Sequence, residues 1–334
     1  MSKLITIAID AMGGDNSPSK VINGLNLHYK NTKNVFYKIF GDAENIEKII
    51  PDTLPSQCFE LIHTMNQVKG TDSPLSGAKK GKDTSMWLAV ESVKKKESDI
   101  VVSAGNTGAL FVIAKLNLEM IENIDKPALS GLWPNKNGTS IVLDLGANIE
   151  CSEKNLVDFG LMGSALFKAI FPEQNPKVAL LNIGSEEFKG TEIIKNTYKI
   201  LNNQNNKLYD FEGYIEGNEM MNGDVNVIVT DGFTGNIALK TAEGTANFIT
   251  SELKKAMTNN FIGKFSSLLN LKNLNNFKKR LDPRLYNGAI LLGLDSPVVK
   301  SHGATDYIGF ANSVSLCEKI IKGNLIDKIK QNMD

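Results

Sequence analysis

Apolar runs that break off into glycine-bearing polar turns recur along the chain. They occur at "IAIDAMGGD", "IVVSAGNTG", "IVLDLGANIE", "VALLNIGSEEFKG" and "VNVIVTDGFTGN", and each is followed by a segment with helical spacing. The repeated unit is strand, turn, helix. The runs are continuously apolar rather than alternating, as expected where helices cover both faces of a mainly parallel sheet. The pattern therefore predicts an α/β fold in three α/β/α layers, around a mainly parallel, doubly wound sheet with a cleft. A chain of 334 residues exceeds the size at which one core usually keeps growing, so residues 1–334 are expected to form a single two-lobed unit.

Ligands of such sheets bind beyond the carboxyl ends of the strands, where helix N-termini offer unpaired N–H donors and a partial positive charge. Five glycine-bearing turns on one rim predict an anion site. The candidates to line it are Gly13 and Gly14, then Ser103, Gly105, Asn106 and Thr107, then Asn148, Gly184 and Asp231, with Lys189 and Asn236 as its most reactive donors. Any one of these turns has a plain structural reading, since Gly and Asn suit tight turns and Asn caps helices. No GxxxxGK[ST] is present and no GxGxxG follows the first strand, so neither a P-loop nor a dinucleotide fingerprint is supported.

Composition narrows the chemistry. Lys+Arg and Asp+Glu are both 37, so no whole-chain electrostatic case for nucleic acid exists. Cys58, Cys151 and Cys317 lie far apart and outside any CxxC or Cys/His cluster, signalling neither a disulfide framework nor a metal site. The three histidines are scattered: His28 falls in an expected surface helix, His63 at a strand end and His302 in a turn, so a catalytic triad is hard to assemble. No signal peptide and no run of spanning length is seen, and a cytoplasmic location is expected. One local bias stands out. The stretch from Leu253 to Leu281 has no acidic residue, and Phe261, Phe265, Leu268 and Leu269 recur at helical spacing among Lys and Asn. This basic amphipathic segment, at about 253–285, reads as a contact with an anionic membrane surface or as packing on a partner subunit.

The peptides "IAIDAMGGDNSP", "KDTSM", "VVSAGNTGAL", "LDLGANIEC", "LMGSA", "LLNIGSEEFKG", "DGFTGNIALKTAEG" and "SHGATD" resemble, in order and over nearly the whole chain, the motifs of the bacterial acyl-ACP:phosphate acyltransferases of phospholipid synthesis, the PlsX family. The resemblance implies a fold similar to phosphotransacetylases and isopropylmalate dehydrogenases. It also implies a homodimer, peripherally bound to the inner face of the cell membrane, that converts acyl-ACP (acyl carrier protein) and inorganic phosphate to acyl phosphate and free ACP without a cofactor. Lys189 and Asn236 match family positions associated with catalysis. Lys79, Lys80 and Lys82 would dock the acidic ACP, although Gly81 interrupts the family's longer basic run. The membrane glycerol-3-phosphate acyltransferase, which uses acyl phosphate, is the further partner implied. Phosphate is itself a nucleophile, so the absence of a Ser-His or Cys-His pair suits this chemistry. Two other readings are weighed beside it. An isopropylmalate-type NAD dehydrogenase would need paired acidic metal ligands and an arginine cluster, yet Arg280 and Arg284 are the arginines in the chain. A non-catalytic membrane scaffold would need only the amphipathic segment.

Overall fold

The predicted strand–turn–helix units are all present in the computed structural model, which describes residues 4–204, 207–259, 268–280 and 282–333. In chain order the strands are β1 (Ile5–Asp10), β2 (Val35–Gly41), β3 (Phe59–His63), β4 (Ile100–Ser103), β5 (Ala128–Asn135), β6 (Gly138–Leu143), β7 (Lys177–Asn182), β8 (Asp210–Glu216), β9 (Val227–Val229), β10 (Ala289–Leu292) and β11 (Val298–Lys300). The helices are α1 (Ser19–Asn31), α2 (Ala43–Glu47), α3 (Pro74–Lys79), α4 (Ser85–Lys94), α5 (Thr107–Asn117), α6 (Glu153–Ile170), α7 (Glu192–Asn203), α8 (Gly232–Thr258), α9 (Leu271–Arg280), α10 (Tyr307–Lys322) and α11 (Leu325–Lys330).

All these strands join one sheet in the order β3-β2-β1-β4-β11-β10-β5-β6-β9-β7-β8. Successive residues of a strand face opposite ways, and both faces are apolar. Ile7 and Ile9 of β1 pack into a core shared with Leu25 of α1 and Phe310 of α10. Ala8 between them joins a second core with Val90 of α4 and Ile113 of α5. Helices therefore cover both faces, which is why the strands read as uninterrupted apolar runs.

Strand direction is less uniform than the sequence pattern suggests. β1 is parallel to β2 and β4, and β4 to β11. The middle of the sheet then alternates, with β10 antiparallel to both β11 and β5, and β5 antiparallel to β6. Beyond it β6, β9 and β7 are again parallel to one another. β6, β7 and β9 consequently run opposite to β1, β4 and β11. Their carboxyl ends lie on opposite rims of the sheet, called here the upper rim (β1, β4, β11) and the lower rim (β6, β7, β9).

Candidate active site

This topology overturns one expectation: the five glycine-bearing turns do not share a rim. Those carrying Gly13, Gly14, Ser103, Gly105, Asn106 and Thr107 are on the upper rim. Those carrying Asn148, Gly184, Lys189, Asp231 and Asn236 are on the lower rim.

On the upper rim three turns interlock around Asp10, the last residue of β1, which is buried. Its carboxylate accepts from Ser85 Oγ at 2.7 Å and Ser103 Oγ at 2.6 Å, and from the Met12 N–H at 3.3 Å. Ser103 Oγ in turn accepts from the Gly105 N–H at 3.0 Å. Asp10 is thus an anchor whose oxygens are already engaged, although burial pushes its pKa up against those bonds. The glycines are needed for the fit. A Cβ on Gly13 would fall 2.5 Å from the Gly105 nitrogen, and Gly14 takes φ +82 with its would-be Cβ 2.7 Å from the Ala104 carbonyl. The turn after β11 closes the group, with the Ser301 N–H on the Ser103 carbonyl at 2.9 Å and the Asp15 N–H on the Gly303 carbonyl at 3.0 Å.

Two lysines complete this rim, and sequence reasoning missed both. Lys20, in the first turn of α1, is buried and donates to the Gly303 carbonyl at 2.6 Å. Lys300, at the end of β11, donates to the Ser301 carbonyl. Burial, and then the charge of Lys20, push the Lys300 ammonium down to about 8, while Asp10 opposes the shift. A lysine has no periodic signature, and these two sit in an ordinary amphipathic helix and a three-residue strand, so only the assembled rim shows them.

The Lys300 shift has a signed consequence. Between pH of about 8 and 10.5 the unfolded chain holds a proton that folded Lys300 has released, so stability from this group rises with pH across that window. Wild type should therefore be penalised relative to Lys300→Met below about pH 8, and the gap should close as pH approaches 10.5. Urea denaturation of both proteins at the two ends of the window measures it. A gap that does not change with pH would show that Lys300 titrates normally.

On the lower rim Asp144, just past β6 and fully buried, accepts from the N–H groups of Leu129, Gly146, Ala147 and Asn148 and from Asn148 Nδ2, at 2.7–3.2 Å. Asn148 also donates to the Pro127 carbonyl, so its amide is engaged in structure. Asp231 caps α8 by accepting from the Thr234 N–H at 2.8 Å. Asn236 is therefore not the cap. It lies one turn further on, exposed, beside Gly146, whose would-be Cβ comes 3.5 Å from it. Lys189 sits in the loop after β7, where Asn182 Nδ2 holds the carbonyls of Gly184 and Lys189 at 3.2 Å. Its ammonium is half-buried and lies 3.9 Å from Glu186. Exposed Ile183, Phe188, Ile149, Phe233 and Ile237 give this rim an apolar skin.

α8 begins on the lower rim, with Asn236 exposed near its start. Asn236, Lys240 and Glu243 are spaced for one helical face, and Glu243 stands ~10 Å along the axis from Asn236. Lys240 and Glu243 lie close enough to His302 to influence its titration, which burial and Lys300 chiefly push down. The face that begins at Asn236 thus runs to the upper rim.

The remaining nominees fall as follows. Asn106 caps α5 through the Ala109 N–H at 3.0 Å and donates to the Gly70 and Asp72 carbonyls, so its side chain ties turns together. Thr107, next to it, is exposed. Lys79, Lys80 and Lys82 are exposed in the turn that leads to Ser85, and Lys80 pairs with Asp72 at 2.6 Å. Leu268 and Leu269 are exposed, while Phe261 and Phe265 lie outside the described residues. His28 is not on a surface: it is buried, 2.7 Å from Tyr37 Oη and 3.2 Å from Glu318. All three cysteines are buried, and burial raises each thiol, Cys151 to about 11. Among the described residues no group of three or more His, Cys, Asp or Glu side chains is placed to hold a metal ion. An open hollow of about 600 Å³ beside Asn16, Ser17, Pro18, Ser19, Asn45, Lys48 and Ile49 carries one lysine and none of the buried charges, so the chemistry is better placed at the interlocked turns.

Comparison with known proteins gives the family and the fold. Residues 5–328 match the family model described as "Fatty acid synthesis protein". The chain is 71% identical, over all of both chains, to the phosphate acyltransferase of Pelagibacter ubique (strain HTCC1062). It is 42% identical to that of Paramagnetospirillum magneticum, covering 100% of this chain and 95% of the relative. Among solved structures, a phosphotransacetylase from Streptococcus pyogenes superposes with a TM-score of 0.62 at 15% identity over 98% of this chain and 95% of that one. The EutD phosphotransacetylase from Staphylococcus aureus gives 0.61 at 16%, over 95% and 94%. These two likenesses establish the fold.

Proposed function

The chain belongs to the fatty acid synthesis protein family and is an acyltransferase that moves an acyl group to phosphate; on that footing we propose that its donor is acyl-ACP and that bound phosphate attacks the thioester directly. A phosphate oxygen forms the new C–O bond, the C–S bond breaks, and the ACP thiolate takes the proton that the hydrogenphosphate gives up. The products are acyl phosphate, for glycerol-3-phosphate acylation in phospholipid synthesis, and free ACP thiol.

One observation carries the reading: the turns after β1, β4 and β11 lock into a single backbone cradle around Asp10, with no side-chain nucleophile in it that has a histidine partner. Such a site holds an external nucleophile in place and supplies donors to it. Gly13, Gly14, Gly105 and Thr107 line the cradle. Ser103, Asn106, Asn148 and Asp231 shape it or its neighbours, since their side chains already have partners. Asn236 and Lys189 stand on the opposite rim from that cradle, so their assignment as donors to the developing oxyanion requires the thioester to reach from the cradle to the start of α8.

Lys79, Lys80 and Lys82, beside the upper rim, suit the docking of an acidic carrier protein, chiefly by speeding encounter. The outer half of α8 extends the basic amphipathic segment, and from Glu243 to Ala256 every residue is exposed. Contact with the inner face of the cell membrane, or with the second subunit of a homodimer, would cover it. No helix among the described residues is long and apolar enough to cross a membrane.

The decisive experiment incubates purified protein with acyl-ACP, with and without phosphate. Free thiol and hydroxylamine-reactive acyl phosphate should appear together, and only with phosphate. Thiol release at the same rate without phosphate would make the protein a thioesterase and end the reading.

A further inference from the structure

Lys20 and Lys300 have no place in the function so far. The bland account is that they are structural pegs, each tying down a carbonyl of the 301–303 turn. That account is incomplete, because a carbonyl is equally well served by a neutral donor, whereas a buried ammonium is costly without a counter-charge. Among the described residues neither ammonium is in an ion pair, although Asp15 favours the charged form of Lys20 and Asp10 that of Lys300 from further off. Asp10, the buried acid of this rim, spends its oxygens on Ser85, Ser103 and Met12.

The two ammoniums are also held together. Lys20 Nζ is on the Gly303 carbonyl at 2.6 Å and Lys300 Nζ on that of Ser301, so they bind carbonyls two residues apart in one turn. Gly14 passes over Lys20, its would-be Cβ 2.8 Å from Lys20 Nζ and 2.9 Å from the Gly303 carbonyl oxygen. Gly14 and His302 are exposed, so the pair lies immediately behind open surface. Two like charges collected behind a glycine turn repel each other, and a bound dianion would relieve the repulsion and supply a counter-charge in direct contact, which Asp10 and Asp15 do not.

We propose that Lys20 and Lys300 are the residues that bind the phosphate substrate, holding it against the Gly14 and Gly303 turns. The proposal rests on the phosphate-transfer reading above, but its test does not need turnover. Lys300 is the more informative position, because its stem is partly exposed although its ammonium is desolvated, and methionine reproduces the length of its side chain up to the terminal nitrogen.

The experiment follows the thermal midpoint of wild type, Lys300→Met and Lys20→Met as inorganic phosphate is added, alongside steady-state kinetics with acyl-ACP. Wild type should be stabilised by phosphate in a saturable way. Lys300→Met should lose that response and show a KM for phosphate raised about tenfold or more, the size expected for a charge-assisted contact, with the KM for acyl-ACP unchanged. Lys300→Arg, which keeps the charge, should retain the response. A merely structural lysine would instead lower the starting midpoint and leave the phosphate response intact. If Lys300→Met does not fold, Lys20→Met carries the test: it should also lose the phosphate response, and Lys20→Arg should keep it. An unchanged phosphate KM in Lys300→Met, or an unchanged phosphate response in Lys20→Met, overturns the proposal. A protein that makes no acyl phosphate but keeps a Lys300-dependent response would sink the transfer reading and leave the anion site standing.

Discussion

Asn236→Ala is expected to lower turnover about 10²-fold or more, the usual effect of removing one donor to a developing oxyanion, while leaving the unfolding midpoint nearly unchanged. The two halves of that expectation come from the same geometry. Asp231 already caps α8, so the helix does not depend on Asn236 for its first turn. The Asn236 side chain is exposed, so truncation removes neither core packing nor a buried partner. What it removes is an amide on the face of α8 that leads to His302. Lys189→Ala should cost turnover on the same scale if its ammonium reaches the thioester oxygen. An unchanged rate in that variant would take Lys189 out of the chemistry and leave Asn236, on the same rim, as the donor. Substitution of Asn236 with full activity retained would remove the α8 face from the mechanism altogether.

Much of this arrangement is visible in the sequence, and the limits have a physical cause. Each strand–turn–helix unit is local, because the apolar run, the glycine and the helical spacing are contiguous, so all five units could be read. Strand direction is not local. It depends on the antiparallel pairings of β5, β10 and β11, strands whose residues do not encode their neighbours, and a reversal there sends two sets of turns to opposite rims. The polar turn residues were legible as a class, but their tasks were not. Asn106, Asn148 and Asp231 spend their side chains on backbone groups, which is the ordinary use of such residues in turns. His28, expected on a surface, is buried because α1 packs against α10 on that face of the sheet. Lys20 and Lys300 gain meaning only when two distant segments are brought to one rim.

Asp144→Ala should be the most destabilising single change at either rim, by about 2–4 kcal/mol, because it empties a buried acceptor site and leaves several part-buried donors without their partner at once. The carboxylate is fully buried and accepts from four backbone N–H groups and one side-chain amide. That nest of N–H dipoles, rather than a cation, is what compensates its charge. The start of α8 is built directly on this loop. The Gly232 N–H donates to the Asn148 carbonyl at 2.8 Å, and a Cβ on Gly235 would fall 2.0 Å from the Asp144 carbonyl oxygen. Loosening the loop should therefore let the first turns of α8 shift, and activity should fall with stability. Asn236→Ala provides the contrast, losing activity alone. Urea denaturation followed by circular dichroism, with activity measured on the folded fraction, separates the two. An Asp144→Ala protein within about 1 kcal/mol of wild type would mean that the Asp144 loop does not carry α8, and the positioning of Asn236 would need another support.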